Sequence, residues 1–222
     1  MAAKGTSTEA RAALDLLCET YYAPVLNYIR RSMGNNTIVY GSRNADDICQ
    51  DFFLRVLRGE EFKHLERGPG RFRSYLLGAV RFFLSRIRGE QAAIKRGAND
   101  KHISLEIDFP QKKQGDFTDA QFDHDWASTV ISNAIENLYQ EAKKRDQVEQ
   151  FNILRRWLLG APLNENPNEA VISLGITKNH FKVLLSRTRK KFRENVRKQI
   201  AQTVESESDI DTELGYLIEA LK

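Results

Sequence analysis

The residues best placed for molecular recognition fall on one helical segment between residues 177 and 190. At 100° per residue, Asn179, Val183 and Ser186 share the face opposite Phe181, and longer cations border them. Short polar groups can meet base edges while cations hold phosphates, so this face has the composition of a helix that reads double-stranded DNA. The residues predicted to contact the duplex are Thr177, Lys178, Asn179, Lys182, Val183, Ser186, Arg187 and Lys190.

A helix-turn-helix would position that face. Ala170 and Leu174 lie on the apolar side of a short first helix, and Gly175 suits the left-handed conformation that the turn requires. Thr177 can then cap the second helix. A helical hairpin with a solvated basic face is the alternative that the same pattern allows.

Aromatic rings beside arginines occur on a second basic segment. Arg81 and Arg88 fall on the polar face of a predicted helix, and Tyr75 and Phe82 lie seven residues apart at the border of its apolar face. Rings can stack on unpaired bases while arginines hold phosphates, so this pattern favours a separated DNA strand as ligand. Packing of either ring against the first helix is the alternative.

Catalytic and metal-site patterns are not found in the sequence. Asp46, Asp47 and Asp51 would be the best metal ligands, but the first two fit the N-terminal turn of a helix that Asn44 can cap. The histidines fall in separate segments, and no nucleophile and base have a recognised spacing. We therefore expect no enzyme, no cofactor and no metal.

Nearly all apolar residues recur with the 3.6-residue period of a helix, so the predicted fold is all-α. The predicted helices cover residues 9–31, 71–98, 122–144, 148–159 and 211–221. A further helix begins at the Asn44 cap and ends before a loop that starts at residue 59, and a pair of helices flanks residues 174–176. The apolar stripe of the second helix is predicted to contain Ile48, Phe52, Phe53, Val56 and Leu57. That of the third is predicted to contain Phe72, Leu76, Ala79, Val80, Phe83 and Ile87.

Two small helical domains joined by a flexible linker account for this order of helices. The apolar period fails from Gly97 to Asp119, where Gly, Asp, Lys and Gln take over. We therefore interpret residues 99–119 as the linker between an N-terminal domain (1–98) and a helix-turn-helix domain (120–204). Residues 205–222 are predicted to form an acidic tail helix. Its apolar residues favour docking on the C-terminal domain or on a regulator; completion of the domain core is the alternative. The tail pattern comprises Ile210, Leu214, Leu217, Ile218 and Leu221.

The net charge of +4 (34 basic minus 30 acidic residues) is distributed in blocks. Residues 61–100 hold nine basic and four acidic side chains, and residues 171–200 hold nine basic and one acidic, so both predicted DNA surfaces are positive. No apolar run approaches the ~18 residues of a membrane span, and the start lacks a secretory signal, so a cytoplasmic protein is expected. Cys18 and Cys49 lie beside apolar neighbours and are predicted to be buried free thiols.

The ordered set of segments resembles the extracytoplasmic-function class of bacterial RNA polymerase sigma factors. The N-terminal helices of that class look like DLLCETYYAPVLNYIRR, ADDICQDFFLRVL and GRFRSYLLGAVRFFLSRIRGEQAAIKRG, and its C-terminal domain looks like EAVISLGITKNHFKVLLSRTRKKFRENVRKQI. The chain is similar in particular to the subgroup with an acidic tail, here IAQTVESESDIDTELGYLIEALK. The resemblance implies a non-enzymatic subunit that binds core RNA polymerase, recognises promoter DNA and initiates transcription.

The resemblance also assigns partners to residues by position. The clamp of the largest polymerase subunit would bind Asp47, Gln50, Asp51 and Leu54, and the flap of the second largest would bind the C-terminal domain. Minus-ten DNA, partly single-stranded, would bind Phe62, His64, Arg67, Arg71, Tyr75, Arg81, Phe82 and Arg86. The minus-thirty-five element would bind the duplex-contacting set of residues 177–190. An anti-sigma factor is a further partner that the class allows.

Two other functional classes fit parts of the pattern. A helix-turn-helix regulator that acts without core polymerase would use the N-terminal half for sensing or dimerisation, and it would bind its operator alone. A nucleic-acid enzyme such as a recombinase would need a carboxylate or nucleophile cluster, and DNA cleavage by the purified protein would identify it.

Overall fold

The computed structural model describes residues 7–34, 40–58, 72–95, 117–160, 166–204 and 206–222. Apart from α-helices and short 3-10 turns, these ranges hold only turns and irregular segments and contain no strand, which confirms the all-α prediction. The helices are α1 (Ser7–Met33), α2 (Ala45–Leu57), α3 (Phe72–Lys95), α4 (Phe117–Lys144), α5 (Val148–Leu154), α6 (Pro167–Ser173), α7 (Lys178–Ala201) and α8 (Asp209–Ala220). None of these helices has an apolar stretch of the length needed to cross a membrane.

The chain divides into two compact units, and the division differs from the predicted domain limits. Unit 1 comprises Met1–Thr129 with Leu217–Lys222, and unit 2 comprises Val130–Tyr216. The first division falls after Thr129, inside α4, whereas the sequence predicted a new domain from residue 120.

The core of unit 1 is built from α1, α2, α3 and the start of α4. Asn44 caps α2 as predicted, because its side-chain oxygen accepts a 2.7 Å hydrogen bond from the Asp47 amide. Phe52 of α2 and Phe83 of α3 meet with ring centroids 5.5 Å apart. The predicted apolar stripe of α3 is buried, apart from the partly buried Phe72, and comprises Leu76, Ala79, Val80, Phe83 and Ile87.

One residue of the predicted α2 stripe lies outside this core. Leu57 is 42% exposed, whereas the other four stripe residues are buried. Leu57 is the last residue of α2, and the buried part of the helix ends at Val56. The apolar pattern of the sequence therefore extends one residue beyond the part of α2 that packs. The prediction that Leu57 faces inward is wrong.

The start of α4 lies in unit 1 because its aromatic residues pack there. Phe122 and Trp126, four residues apart, are buried, and the Phe122 ring meets the ring of Tyr28 edge to face at 6.1 Å. The helix begins at Phe117, so residues 117–119, predicted as linker, are helical. Residues 99–116 of the predicted linker lie outside the described residues.

Unit 2 is organised around two aromatic rings. The rings of Trp157 and Phe181 pack edge to face at 5.4 Å, in a cluster with Leu154 and Ala170. A short 3-10 turn, Arg155–Trp157, follows α5, so the helix predicted over 148–159 is a shorter helix with a tight turn. The Arg189 guanidinium donates two hydrogen bonds, of 2.9 and 2.7 Å, to the Trp157 carbonyl and ties α7 to this turn.

The tail forms helix α8, two residues longer at its start than predicted. Ile210 and Leu217 are buried, whereas Ile218 and Leu221 are exposed, so only part of the predicted apolar pattern is covered. Within unit 2, Asp211 of α8 forms an ion pair with Arg197 of α7. This contact lies seven residues beyond Lys190, so it lies toward the C-terminal end of α7 and not among residues 177–190.

Candidate nucleic-acid interface

The turn between α6 and α7 is fixed by backbone hydrogen bonds. The Gly175 amide donates to the Ile172 carbonyl at 3.0 Å and the Ile176 amide donates to the Val171 carbonyl at 3.2 Å, which is the bonding of a Schellman motif. Gly175 has a φ of +61°, a left-handed conformation that side chains disfavour. The predicted left-handed glycine is therefore confirmed.

Helix α7 starts where the sequence predicted. The Thr177 hydroxyl accepts a 3.2 Å hydrogen bond from the His180 amide and caps the helix. Phe181 is buried, and Leu184 and Leu185 pack partly buried against the same cluster. These contacts hold one side of α7 in unit 2 and leave the opposite side in solvent.

The α7 face consists of the eight residues predicted to contact a duplex, and all of them are exposed: Thr177, Lys178, Asn179, Lys182, Val183, Ser186, Arg187 and Lys190. No carboxylate of a described residue forms an ion pair with the four cations of this face. The face can therefore offer its charges to an external polyanion without breaking an ion pair within the described chain.

The α3 face consists of Tyr75, Arg81, Phe82 and Arg86, and its side chains are already engaged. Arg81 forms an ion pair with Asp119 of α4 and donates a 3.1 Å hydrogen bond to the Tyr28 hydroxyl. The Arg86 guanidinium lies 5.3 Å from the centroid of the Phe83 ring. Tyr75 and Phe82 are half-buried and each has a contact within the protein. The face is a set of partly buried, bonded groups, and its predicted role in strand binding stays a prediction.

The other residues predicted for minus-ten DNA lie in the segment 59–71, outside the described residues: Phe62, His64, Arg67 and Arg71. Arg88, predicted on the polar face of α3, donates a 2.6 Å hydrogen bond to the Tyr40 hydroxyl.

The four residues predicted to bind core polymerase lie on α2 and differ in their surroundings. Asp47 and Gln50 are exposed, and Leu54 is 51% exposed although it is apolar. Asp51 is half-buried between Arg43 and Arg55, with nitrogen–oxygen distances of 3.2 and 3.3 Å. Asp51 therefore has a structural role in unit 1, and Leu54 is the group of this set most open to an apolar partner.

The packing of α1 against α2 perturbs two titratable groups. Burial raises the pKa of the Cys49 thiol to about 12, with the charge of Asp46 and the neighbouring Cys18 adding to the effect. Burial also raises the pKa of Tyr22. Cys49 is buried as predicted, whereas Cys18 is only partly buried, and both are free thiols.

Besides the pair of Arg81 with Asp119, two more ion pairs formed by the first half of α4 were not predicted from the sequence. Arg73 is only 2% exposed; it binds Asp123 at 2.8 Å and its guanidinium lies 4.3 Å from the Trp126 ring centroid. Arg31 of α1 binds Asp125 at 2.8 Å. Asp119 and Asp123 are four residues apart, as are Phe122 and Trp126, so one helix can bring acids and aromatic rings to the same neighbour. This spacing is the sequence signal for these ion pairs, and it falls where the sequence predicted the start of a domain.

Metal chemistry has no visible site in this part of the chain. Among the described residues, no group of three or more His, Cys, Asp or Glu side chains is placed to hold a metal ion. Asp46, the first of the acidic residues of α2, instead forms a 3.2 Å ion pair with Arg30.

Comparisons with known proteins add no further constraint. No family model, no curated protein and no solved structure matches this chain.

Proposed function

We propose that the protein is a sigma factor of the extracytoplasmic-function class, which binds core RNA polymerase in the cytoplasm, recognises promoter DNA and starts transcription. In this proposal the chain performs no chemistry of its own. Unit 1 binds the polymerase clamp and the minus-ten element, and unit 2 binds the flap and the minus-thirty-five element.

The observation that carries the proposal is the α7 face. A capped helix follows a Schellman turn, its apolar side is packed, and its opposite side presents short polar groups bordered by cations that have no carboxylate partner among the described residues. This combination suits insertion into a major groove, with Asn179 and Ser186 at base edges and Lys182, Arg187 and Lys190 at phosphates.

The α2 surface, which comprises Asp47, Gln50, Asp51 and Leu54, supports a partner beyond DNA. Leu54 is an exposed apolar residue between the exposed Gln50 and the C-terminal end of α2, a composition suited to a protein contact and not to phosphate. A regulator that dimerises through its N-terminal half would use such a surface as well. Association with core polymerase is therefore the property that separates the two proposed functions.

The test of function is initiation by a reconstituted holoenzyme. Genomic fragments that co-purify with the tagged protein from its source cells supply the candidate promoters, and core polymerase from the same cells supplies the catalyst. We expect specific run-off transcripts only when both proteins are present, and tight fragment binding only with core polymerase. Tight, specific binding by the isolated protein with no effect on initiation would instead identify a regulator.

The core-binding surface can be tested separately with matched variants. Leu54→Arg should weaken association with core polymerase at least tenfold, because a charge would enter an apolar contact. Ile94→Arg is the control, since Ile94 is also exposed, at 68%, but lies on α3. Both variants should keep the helical circular dichroism of the wild type. Equal affinity of the two variants would remove the α2 surface from the polymerase contact.

A further inference from the structure

Arg81 is held in an orientation suited to an anion. Its Nε donates to the hydroxyl of the buried Tyr28 at 3.1 Å, and a terminal nitrogen pairs with Asp119. A planar guanidinium fixed at one edge presents its other nitrogens in a constant direction, and phosphate and carboxylate oxygens satisfy them in similar ways. Asp119 therefore occupies a preformed anion position on α3.

The pair between Arg81 and Asp119 is accessible to exchange. The side chains are 26% and 29% exposed, and Asp119 is the third residue of α4. The first amides of a helix have no intrahelical acceptor, so the first turn can open at the loss of few hydrogen bonds. The buried residues that fix α4 to unit 1, Phe122 and Trp126, follow Asp119 and would stay in place.

The neighbouring pair between Arg73 and Asp123 has the opposite character. Arg73 is almost fully buried, is bound to Asp123 at 2.8 Å and packs on Trp126. Separating this pair would leave a buried charge without that partner, so exchange is confined to the outer pair. The acidic start of α4 thus combines a fixed inner pair with an accessible outer one.

We propose that Asp119 is an internal competitor of DNA phosphate for Arg81. This inference rests on the proposed function. In the absence of DNA the carboxylate holds Arg81 in its anion-binding orientation and screens it from nucleic acid. When a separated strand reaches the α3 face, a phosphate takes the place of Asp119 and the first turn of α4 opens. Weak, non-productive binding of single strands by the free protein is thereby reduced.

The test is binding of a fluorescein-labelled 12-nucleotide single-stranded DNA to the full chain, followed by anisotropy over a range of salt concentrations. Asp119→Asn should tighten binding about threefold to fivefold, the range expected when a partly exposed ion pair no longer competes. Glu141→Gln is the matched control: it also removes one negative charge from an ion pair, that with Lys191 at 3.2 Å in unit 2. The control should change affinity less than twofold.

A second substitution identifies the group that is released. In a chain that carries Arg81→Ala, adding Asp119→Asn should give no gain in affinity. The salt slope of this double variant should be smaller than that of Asp119→Asn by about 0.7, the value for one phosphate contact to a single strand. A gain that persists without Arg81, an equal gain in Glu141→Gln, or no gain in Asp119→Asn would each overturn the inference. Circular dichroism of every variant checks that helix content is retained, and Glu141→Lys against Asp119→Lys repeats the comparison with a larger charge change.

Failure of this inference differs from failure of the proposed function. A wild-type chain that supports core-dependent initiation while Asp119→Asn and Glu141→Gln bind single strands alike overturns the competitor role alone. A chain that supports no initiation overturns the sigma-factor proposal, whatever the two variants do.

Discussion

The two basic helices α3 and α7 differ in what their cations contact. On α7, the four cations of the exposed face have no carboxylate partner among the described residues. On α3, Arg73 and Arg81 bind carboxylates of α4, and Arg88 binds a tyrosine hydroxyl. Similar sequence patterns therefore produce an open cationic surface in unit 2 and a largely bonded one in unit 1.

This difference shows that a count of charges in a segment does not measure charge available for binding. Arginines of the positive block at 61–100 are paired with acids of α4, Asp119 and Asp123, which belong to the acidic block at 101–150. The positive block at 171–200 has a single contact with the acidic tail in the described ion pairs, that of Arg197 with Asp211. Four experiments test whether the two helices and their units differ in this way.

The largest effect is expected where a cation is buried. Asp123→Ala should lower the free energy of unfolding by about 3 kcal/mol, because the buried Arg73 guanidinium loses its carboxylate. Glu141→Ala, which breaks an exposed pair in unit 2, should cost less than about 1 kcal/mol. Urea unfolding followed by circular dichroism measures both. Equal losses would mean that the cations of the two units are held alike.

The next effect concerns sequence discrimination by the α7 face. Asn179→Ala should alter preference at one base pair by about 1 to 3 kcal/mol, since an amide can bond a base edge. Lys190→Ala should weaken binding to all duplexes alike and reduce the salt slope by about one. Selection from a randomised duplex pool, repeated at several salt concentrations, separates the two. If Lys190→Ala changed the preference and Asn179→Ala did not, the assigned helix phase would be wrong.

A smaller effect distinguishes the units by pH, because both cysteines lie in unit 1. The pKa of Cys49 is raised to about 12, so the stability gained from its neutral, buried thiol is complete below the unfolded pKa near 9 and is lost as pH rises toward 12. Above pH 9 the wild type should lose up to about 1 kcal/mol per pH unit relative to Cys49→Ala. Urea titrations at pH 8, 9 and 10 give this difference. Parallel pH profiles would show that the thiol does not contribute.

The smallest effect is expected at the tail. Asp211→Asn removes the ion pair with Arg197, which is exposed on both sides, so stability should change by less than about 0.5 kcal/mol. Duplex binding should stay within twofold of the wild type, because the pair lies beyond the α7 face. A large gain in duplex affinity, measured by anisotropy, would instead show that the acidic tail screens that face.

The sequence predicted those features that depend on local periodicity and capping. The Asn44 and Thr177 caps, the left-handed Gly175 and the buried side of α7 follow from residue type and spacing within one turn or two. The helix from Phe122 onward was predicted, but the packing of its start in unit 1 was not, because Phe122 and Trp126 have the same period whichever unit they pack against. The partners of Arg73 and Arg81 were missed because they are about 40 to 50 residues distant in the chain.

The orientation of α7 relative to α6 depends on the turn at Gly175, and the stability of that turn depends on the chirality of the α-carbon at this position. A methyl group added there would meet no atom within 4 Å, so space does not select glycine at this position. The positive φ selects glycine, because this conformation is unfavourable for L residues by roughly 1 to 2 kcal/mol and favourable for D residues. D-alanine introduced by chemical ligation would keep the turn and restrict the unfolded chain, whereas L-alanine of identical volume would strain it. Two stereoisomers of one protein would thus differ in how firmly α7 is set against α6.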